Sequence, residues 1–103
     1  DSLATDLRRA VADDPAMEWT LAEAAARWHT SCRSFQRRLH AEGQRFAALV
    51  LEGRLDAAEA LLRRTAMPVS AVSYLCGFAD PAHLASVCRR LRGMPPSALR
   101  IDQ

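Results

Sequence analysis

Apolar residues return every three to four positions along most of the chain, and no stretch alternates with the two-residue period of a strand. Residues that start or stop helices divide this pattern. Thr20 and Ser31 are suited to N-caps, Gly43 to a stop, and Met67-Pro68 to a break. The pattern therefore predicts an all-α protein of about seven helices.

These helices group into four segments. The predicted boundaries are 1–15 for an N-terminal helix or linker, 16–44 for a first two-helix unit, 45–66 for a connector helix, and 67–103 for a second unit with a short C-terminal helix. The first segment is expected to end at Asp13-Asp14-Pro15, and the last helix to begin at Pro95-Pro96.

The connector, predicted from about Arg45 to Thr65, has two apolar faces. The residues of one face are Phe46, Leu49, Val50, Gly53, Ala57 and Leu61, and those of the other are Leu51, Leu55, Ala58 and Leu62. A helix that is apolar on two sides has two bodies to pack against, so this one is predicted to join two small subdomains.

The two units repeat each other at an offset of 48 to 50 residues. The corresponding pairs are Ala25 and Ser73, His29 and Gly77, Ser31 and Asp80, Phe35 and Leu84, Leu39 and Cys88, and Gly43 and Gly93. A short helix, a tight turn, a capped second helix and a glycine stop form the plan of a helix-turn-helix. The sequence therefore predicts two helix-turn-helix subdomains joined by one long helix.

Charge is distributed unevenly along the 103 residues, although the net charge is only +2. The first 23 residues hold six acids against two arginines, a balance of −4, and the remainder holds twelve arginines against six acids, a balance of +6. Every basic residue is arginine, whose guanidinium forks onto phosphate or guanine. A basic body of this kind indicates a polyanionic partner.

Other features narrow the class of protein. No apolar run approaches the ~20 residues of a membrane span, and no basic-then-apolar leader is present, so a cytoplasmic location is expected. The cysteines Cys32, Cys76 and Cys88 are odd in number and lack paired spacing, which favours neither a disulfide framework nor a zinc site. We expect Cys76 and Cys88 to be small buried hydrophobes, and we expect no cofactor.

The second helix of a helix-turn-helix enters the major groove of DNA, and its early residues reach base edges. The residues predicted to read bases are Arg33, Ser34, Gln36 and Arg37 in the first unit and Ala82, His83 and Ser86 in the second. The residues predicted to contact phosphates are Thr30, Ser31, Arg38, Arg89, Arg90 and Arg92. We therefore expect the first unit to read sequence and the second mostly to anchor.

The connector supplies a length that suits this interpretation. About twenty residues at ~1.5 Å each give roughly 30 Å. Successive major grooves on one face of DNA lie ~34 Å apart. One chain is therefore expected to place its recognition helices in two successive major grooves of double-stranded DNA.

Over about residues 16–101 the chain resembles the AraC/XylS family of transcription regulators. The motifs that carry the resemblance are Thr20-Leu21, Ala25, Ser31, Arg33-Ser34-Phe35-Gln36-Arg37 with Leu39, Arg54-Leu55-Asp56-Ala57-Ala58 with Leu61-Leu62, Gly77-Phe78-Ala79-Asp80-Pro81, Arg89-Arg90, Gly93, Pro95-Pro96-Ser97 and Arg100. Three positions depart from the pattern. His29 replaces the usual turn glycine, Ser86 stands where many members carry arginine, and Cys88 where they carry phenylalanine.

The resemblance implies a DNA-binding domain with two helix-turn-helix units. Such a domain most often activates transcription, with RNA polymerase as a further partner. It is usually attached to an effector-sensing or dimerisation domain. The resemblance also supports recognition-helix roles for Arg33, Gln36 and Arg37.

Two other classes of protein compete with this interpretation. For an enzyme, the chain has neither a zinc-binding HExxH nor a glycine-rich phosphate loop, and its three histidines are scattered, so no enzymatic activity is expected. The second class is a helical interaction module whose arginines bind an acidic protein. Such a module does not require arginine on both second helices at equivalent places, nor a connector that matches the groove spacing.

Overall fold

The computed structural model describes residues 2–101, so residue 1 and residues 102–103 of the predicted end segments lie outside the described residues. The described residues form seven α-helices and no strand, which confirms the all-α prediction. The helices are α1 (Leu3–Asp13), α2 (Leu21–Arg27), α3 (Cys32–Ala41), α4 (Phe46–Arg64), α5 (Val69–Leu75), α6 (Pro81–Arg92) and α7 (Pro96–Ile101).

Two apolar clusters lie along α4. The N-terminal core joins α1, α2, α3 and the start of α4, and consists of Leu3, Ala4, Leu7, Val11, Trp19, Ala24, Ala25, Phe35, Leu39, Leu49 and Val50. The C-terminal core joins the rest of α4 to α5, α6 and α7, and consists of Leu55, Ala58, Leu62, Val72, Cys76, Phe78, Leu84, Val87, Cys88 and Leu99. Two cores that share one continuous helix confirm the plan of two subdomains and a connector.

The two predicted apolar faces of α4 do not each pack against a single core. Ala57 and Leu61 pack against the C-terminal core, whereas Phe46 and Leu49, on the same predicted face, pack against the N-terminal core. The physical reason is that α4 changes neighbours along its length as well as around it, since α1 packs on it from one side and α7 from another. Sequence periodicity reports which side of a helix is apolar and not which element covers it.

Cys76 and Cys88 are fully buried in the C-terminal core, as expected for small apolar residues. Burial raises the pKa of the Cys76 thiol to about 11, and burial also raises the pKa of Cys88. Both thiols therefore stay protonated and unreactive near neutral pH. Cys32, by contrast, is exposed at the first position of α3.

Three helices of the two units, α2, α3 and α6, start at the caps that the sequence predicts. The side-chain oxygens of Thr20, Ser31 and Asp80 accept hydrogen bonds from backbone amides three residues further on, at 3.1, 3.1 and 2.8 Å. Each bond satisfies an amide that a helix start leaves without an intrahelical partner. The direction in which α3 and α6 leave their turns is thus fixed by local contacts.

The turns inside the two units share one backbone geometry. In the first, the amide of Thr30 donates to the carbonyl of Ala25 at 3.0 Å, and the amide at the corresponding position of the second closes the same bond at 2.9 Å. Both turns pass through a left-handed residue, which is His29 with φ 54° in the first and Gly77 with φ 83° in the second. Glycine adopts this conformation without strain, whereas histidine does not.

Replacing His29 by glycine is therefore expected to stabilise the chain. Relief of left-handed strain, worth ~1–2 kcal/mol, exceeds the greater entropy of glycine in the unfolded chain, and the net gain is about 0.5–1 kcal/mol. Urea unfolding of the two proteins measures the difference. The variant His29→Ala is the control, because alanine keeps the Cβ that causes the strain. A gain of the same size in His29→Ala would mean that the histidine ring, and not the backbone, is the cause.

The connector and the turn of the second unit also contact the segment that precedes α2. The guanidinium of Arg54 in α4 donates from Nε to the carbonyl of Pro15 and from a terminal nitrogen to the carbonyl of Met17, both at 2.9 Å. Gly77, in the turn of the second unit, packs on this arrangement so closely that a Cβ there would lie 2.4 Å from the Pro15 oxygen. The turn of the second unit is thus seated on the segment that precedes α2.

The start of α1 is held by the end of α3. The carboxylate of Glu42 accepts hydrogen bonds from the backbone amides of Leu3 and Ala4, at 3.0 and 2.9 Å. The bond from the Ala4 amide is the main cause that lowers the pKa of Glu42 below its usual 4.5. A negative charge at this position also faces the positive end of the α1 dipole.

This contact makes stability depend on pH in a defined direction. Because the pKa of Glu42 is lower in the folded chain, its stabilisation is fully present above pH 4.5 and is lost as the pH falls through the lowered value. We expect Glu42→Gln to unfold at a lower urea concentration than the parent at pH 7. The two midpoints are expected to converge in strong acid, where Glu42 is protonated. Midpoints that stay equally far apart at both pH values would contradict this origin.

Candidate nucleic-acid interface

The outward face of α3 is basic and polar. Phe35 and Leu39 are fully buried, and the Phe35 ring packs against Trp28 and Phe46 with centroid distances of 5.5 and 6.5 Å. This anchoring directs the remaining positions outward. The residues of α3 that the structure leaves exposed are Cys32, Arg33, Gln36, Arg37, Arg38, His40 and Ala41. Three of the four predicted base readers of the first unit are thus accessible.

Ser34, the fourth predicted base reader of the first unit, is half-buried. Its backbone amide donates the cap hydrogen bond to the side-chain oxygen of Ser31. Among the residues predicted at phosphates, Ser31 is exposed and Thr30 is half-buried, and both lie at the start of α3. The exposed residues that are predicted to contact DNA in the first unit therefore all lie on α3 and its cap.

The corresponding face of α6 is smaller and less charged. Ala82 and Ser86 are exposed, whereas His83 is half-buried. The His83 ring lies edge-on to Phe78 with a centroid distance of 5.4 Å, and its Nδ1 accepts a hydrogen bond from the amide of Ala79 at 3.4 Å. That bond directs Nδ1 back toward the turn of its own unit. The reading face of α6 thus offers few polar groups.

The arginines at the end of α6 point in two directions. Arg89 and Arg90 are exposed. Arg92 turns inward onto α4, where it donates to the carboxylates of Asp56 and Glu59 at 2.8 and 2.9 Å. A guanidinium that is already paired has fewer donors left for a phosphate. The phosphate contact of Arg92 stays a prediction, and Arg89 and Arg90 are the more accessible arginines of α6.

Sequence reasoning did not identify the acidic pair that holds Arg92. Asp56 and Glu59 are three residues apart on α4, which places them on one face of the helix. That spacing was visible in the sequence, but it did not reveal which arginines would approach. Besides Arg63 on α4 itself, the partners come from α1 and α6, far away along the chain.

Two further properties concern membrane spans and metal sites. No helix within residues 2–101 has the length and apolar character needed to cross a membrane. In the same part of the chain, no three His, Cys, Asp or Glu side chains are grouped as a metal ion would require.

Comparison with known sequences places these features in context. A family model described as a helix-turn-helix domain matches residues 24–101. The chain is 31% identical over 80 residues to the transcriptional regulator SirC of Salmonella typhimurium strain SL1344, covering 78% of the chain and 27% of that protein. It is 30% identical over 92 residues to the urease operon transcriptional activator of Escherichia coli, covering 89% of the chain and 31% of that protein.

Solved structures show the same arrangement of helices. A DNA-binding transcriptional dual regulator from Escherichia coli K-12 superimposes with a TM-score of 0.89 at 23% identity, over 100% of this chain and 99% of that one. The DNA-binding domain of the transcription factor AdpA, solved in complex with a target DNA, superimposes with a TM-score of 0.79 at 25% identity, over 99% of this chain and 93% of that one. The fold is therefore that of a two-unit helix-turn-helix domain.

Proposed function

Because the chain belongs to the AraC-type helix-turn-helix family of transcription regulators, we propose that it binds double-stranded DNA at specific sequences. The recognition helices are α3 and α6, each lying in one of two successive major grooves. The observation that carries this proposal is the exposed basic face of α3, on a helix whose start is capped and whose inner face is fully buried. A rigid helix with outward arginines can meet base edges in a fixed register.

The first unit reads the sequence. Arg33 and Arg37 lie one helical turn apart on α3, and Gln36 lies beside them. An arginine fork matches the O6 and N7 acceptors of guanine, and a glutamine amide matches N6 and N7 of adenine. These residues are exposed and rest on a helix that does not need to move to reach a groove.

The second unit anchors the chain to the DNA backbone. Ala82 and Ser86 provide few hydrogen bonds for bases, whereas Arg89 and Arg90 provide exposed charges at the far end of α6. Charges at that end suit phosphates, which position a protein on DNA without specifying sequence. His83 offers one further donor, Nε2, on the side of the ring away from its own turn.

The dimensions of the chain suit two grooves. The 19 residues of α4 give a length of about 28 Å at ~1.5 Å per residue. The longest dimension of the structure is 40 Å, and successive major grooves are ~34 Å apart. One copy of the chain is therefore long enough to contact both grooves without a second copy.

Replacing Arg89 by alanine is expected to weaken binding to all duplexes about equally. A lost phosphate contact also reduces the slope of log K against log salt by about 1. Fluorescence anisotropy at several salt concentrations, on specific and random duplexes, measures both effects. The variant Arg9→Ala is the control, since it removes the same charge from an exposed side chain on α1. A loss confined to the specific duplex would assign Arg89 to base reading instead.

The experiment that tests the proposed function is binding of the chain to a random-sequence duplex pool, with recovery of the tightest binders. We expect micromolar or tighter binding that falls steeply with salt, and enrichment of an asymmetric site that spans two helical turns. Binding without enrichment would show a DNA anchor whose specificity lies elsewhere. No salt-dependent binding would favour the interaction module that binds an acidic protein.

The activity of the whole protein extends beyond this chain, which spans 27% and 31% of the length of the two curated relatives described above. We propose that the whole protein regulates transcription in the cytoplasm, as an activator that contacts RNA polymerase. This role is supported by the family and by the name of the urease operon relative. A further domain for an effector or for dimerisation would account for the additional length of such relatives.

A further inference from the structure

A set of alternating charges crosses three helices at the middle of the molecule. We call it the α1–α4–α6 ion network, and its hydrogen-bonded members are Arg8, Asp56, Glu59, Arg63 and Arg92. The carboxylate of Glu52 lies at its edge, 3.9 Å from Arg8. Arg8 of α1 donates through two nitrogens to the two oxygens of Asp56, at 2.6 and 2.9 Å. Arg92 of α6 donates to the same carboxylate at 2.8 Å. Asp56 is therefore shared between α1 and α6.

Glu59 extends the network by one turn of α4. It accepts from Arg92 at 2.9 Å and from Arg63 at 3.0 Å. Arg92 thus bridges two carboxylates that belong to successive turns of the connector. A planar guanidinium held at two such points resists both sliding along α4 and rotation about the α6 axis.

The network constrains α6 in a way that the apolar core does not. Contacts among leucine, valine and alanine side chains are not directional, and they tolerate small rotations of one helix on another. The charged side chains have exposed fractions of 23% for Arg92, 25% for Glu59 and 30% for Asp56, so water only partly screens them. Such partly buried ion pairs add little net stability, because the cost of removing the charges from water offsets their attraction. Helix orientation is therefore the property that they are suited to control.

On the basis of the proposed function, we propose that Asp56 and Glu59 are positioning residues for DNA binding. By holding Arg92, they fix the angle of α6 on the connector and hence the spacing between the two recognition helices. Arg89 and Arg90 lie within the last turn of α6, next to Arg92. Rotation of α6 about its axis would swing these exposed arginines away from the phosphates that they contact.

Spacing matters because the two units bind as linked modules. When one recognition helix is seated, the second is held near its groove at a high effective concentration, and this gain is lost if the geometry does not match. A chain with a loosened α6 would bind one half of a site as before and gain less from the other half. It would also tolerate a changed distance between the halves.

The test uses the double variant Asp56→Asn, Glu59→Gln on the recovered DNA site. We expect it to bind the full site about tenfold more weakly than the parent. This loss is a part of the 10²–10⁴-fold gain in affinity that linking two binding modules provides. Binding to random duplexes is expected to be unchanged or stronger, because the variant has lost two negative charges. We further expect it to bind sites lengthened or shortened by one base pair almost as well as the original site.

The loss of two negative charges would by itself strengthen binding to the full site, whereas the proposed loss of positioning weakens it. The direction of the change in affinity therefore distinguishes the two causes. Full-site binding as tight as that of the parent, with the same preference for the original spacing, would overturn the proposal. The single variant Glu59→Gln keeps the bonds between Asp56 and both Arg8 and Arg92, so it should lose less affinity. If the double variant fails to fold in circular dichroism, this single variant carries the same test, and unchanged spacing preference there would also overturn the proposal.

A second measurement keeps this proposal separate from the proposed function. Spin labels on the exposed Cys32 of α3 and on Ser86→Cys of α6 report the distance between the recognition helices without DNA, while the buried Cys76 and Cys88 remain unlabelled. We expect a narrow distance distribution in the parent and a broader one in the double variant. Identical distributions would overturn the proposal. If the parent binds no DNA, the proposed function fails, and the distances alone decide whether the network fixes α6.

Discussion

Replacing Arg33 by alanine is expected to weaken binding to the specific DNA site by about 1–3 kcal/mol, which is about 5- to 150-fold in Kd. The physical reason is that an arginine fork donates two hydrogen bonds to one guanine, and alanine leaves those acceptors unpaired. Arg33 is exposed near the start of α3, the part of a recognition helix that lies deepest in the groove. The same substitution at Arg37 is expected to give a loss of similar size.

The sequence preference distinguishes this effect from loss of charge. On random duplexes Arg33→Ala is expected to lose only the contribution of one charge, so the ratio of specific to random binding falls. The variant Arg33→Lys is the control, because lysine keeps the charge and lacks the planar fork. It should retain random binding and lose part of the specific binding. Equal losses on specific and random DNA for Arg33→Ala would exclude Arg33 as a base reader.

Replacing Gly77 by alanine is expected to cost about 2–5 kcal/mol of stability, the largest effect of any glycine in a turn of this chain. Two costs combine there. A left-handed alanine costs ~1–2 kcal/mol, and displacing packed neighbours costs ~1–3 kcal/mol. The new Cβ would lie 2.4 Å from the carbonyl oxygen of Pro15 and 2.7 Å from Nε of Arg54, so the turn must move away from both residues.

Gly93 provides a matched control for this substitution. Its φ of 75° is close to the 83° of Gly77, but a Cβ at Gly93 would meet nothing within 4 Å. Gly93→Ala should therefore show the conformational cost alone, about 1–2 kcal/mol. Urea unfolding of both variants measures the difference. Equal costs at the two positions would mean that the contact between Gly77 and Pro15 does not contribute to stability.

The repeat of the two units explains why much of this fold can be predicted from the sequence. Helix starts depend on side chains within three residues, so Thr20, Ser31 and Asp80 are recognisable as caps without any tertiary information. The left-handed turn positions follow from the same local rules. Gly77 meets the requirement directly, and His29, with a positive φ in the structure, occupies the corresponding place in the repeat.

Long-range contacts could not be predicted from these local rules for caps and turns. The sequence marked Arg92 as one more exposed arginine, whereas the fold brings it against Asp56 and Glu59. It likewise showed no sign that Glu42 would cap α1, from a position 39 residues away from Leu3. Pairings of this kind depend on how helices pack, and packing is not encoded in the period of apolar residues.

By itself, then, the sequence determined the helices, their caps, the repeat of two units and the exposed basic face of α3. All of these depend on interactions between residues within a few positions of each other. Only the tertiary structure decided which arginines remain exposed, how Arg54 and Gly77 contact the segment before α2, and how the ion network holds α6 on α4. Those features depend on residues that are far apart in the chain, and the shape that brings them together forms only when both cores pack on α4.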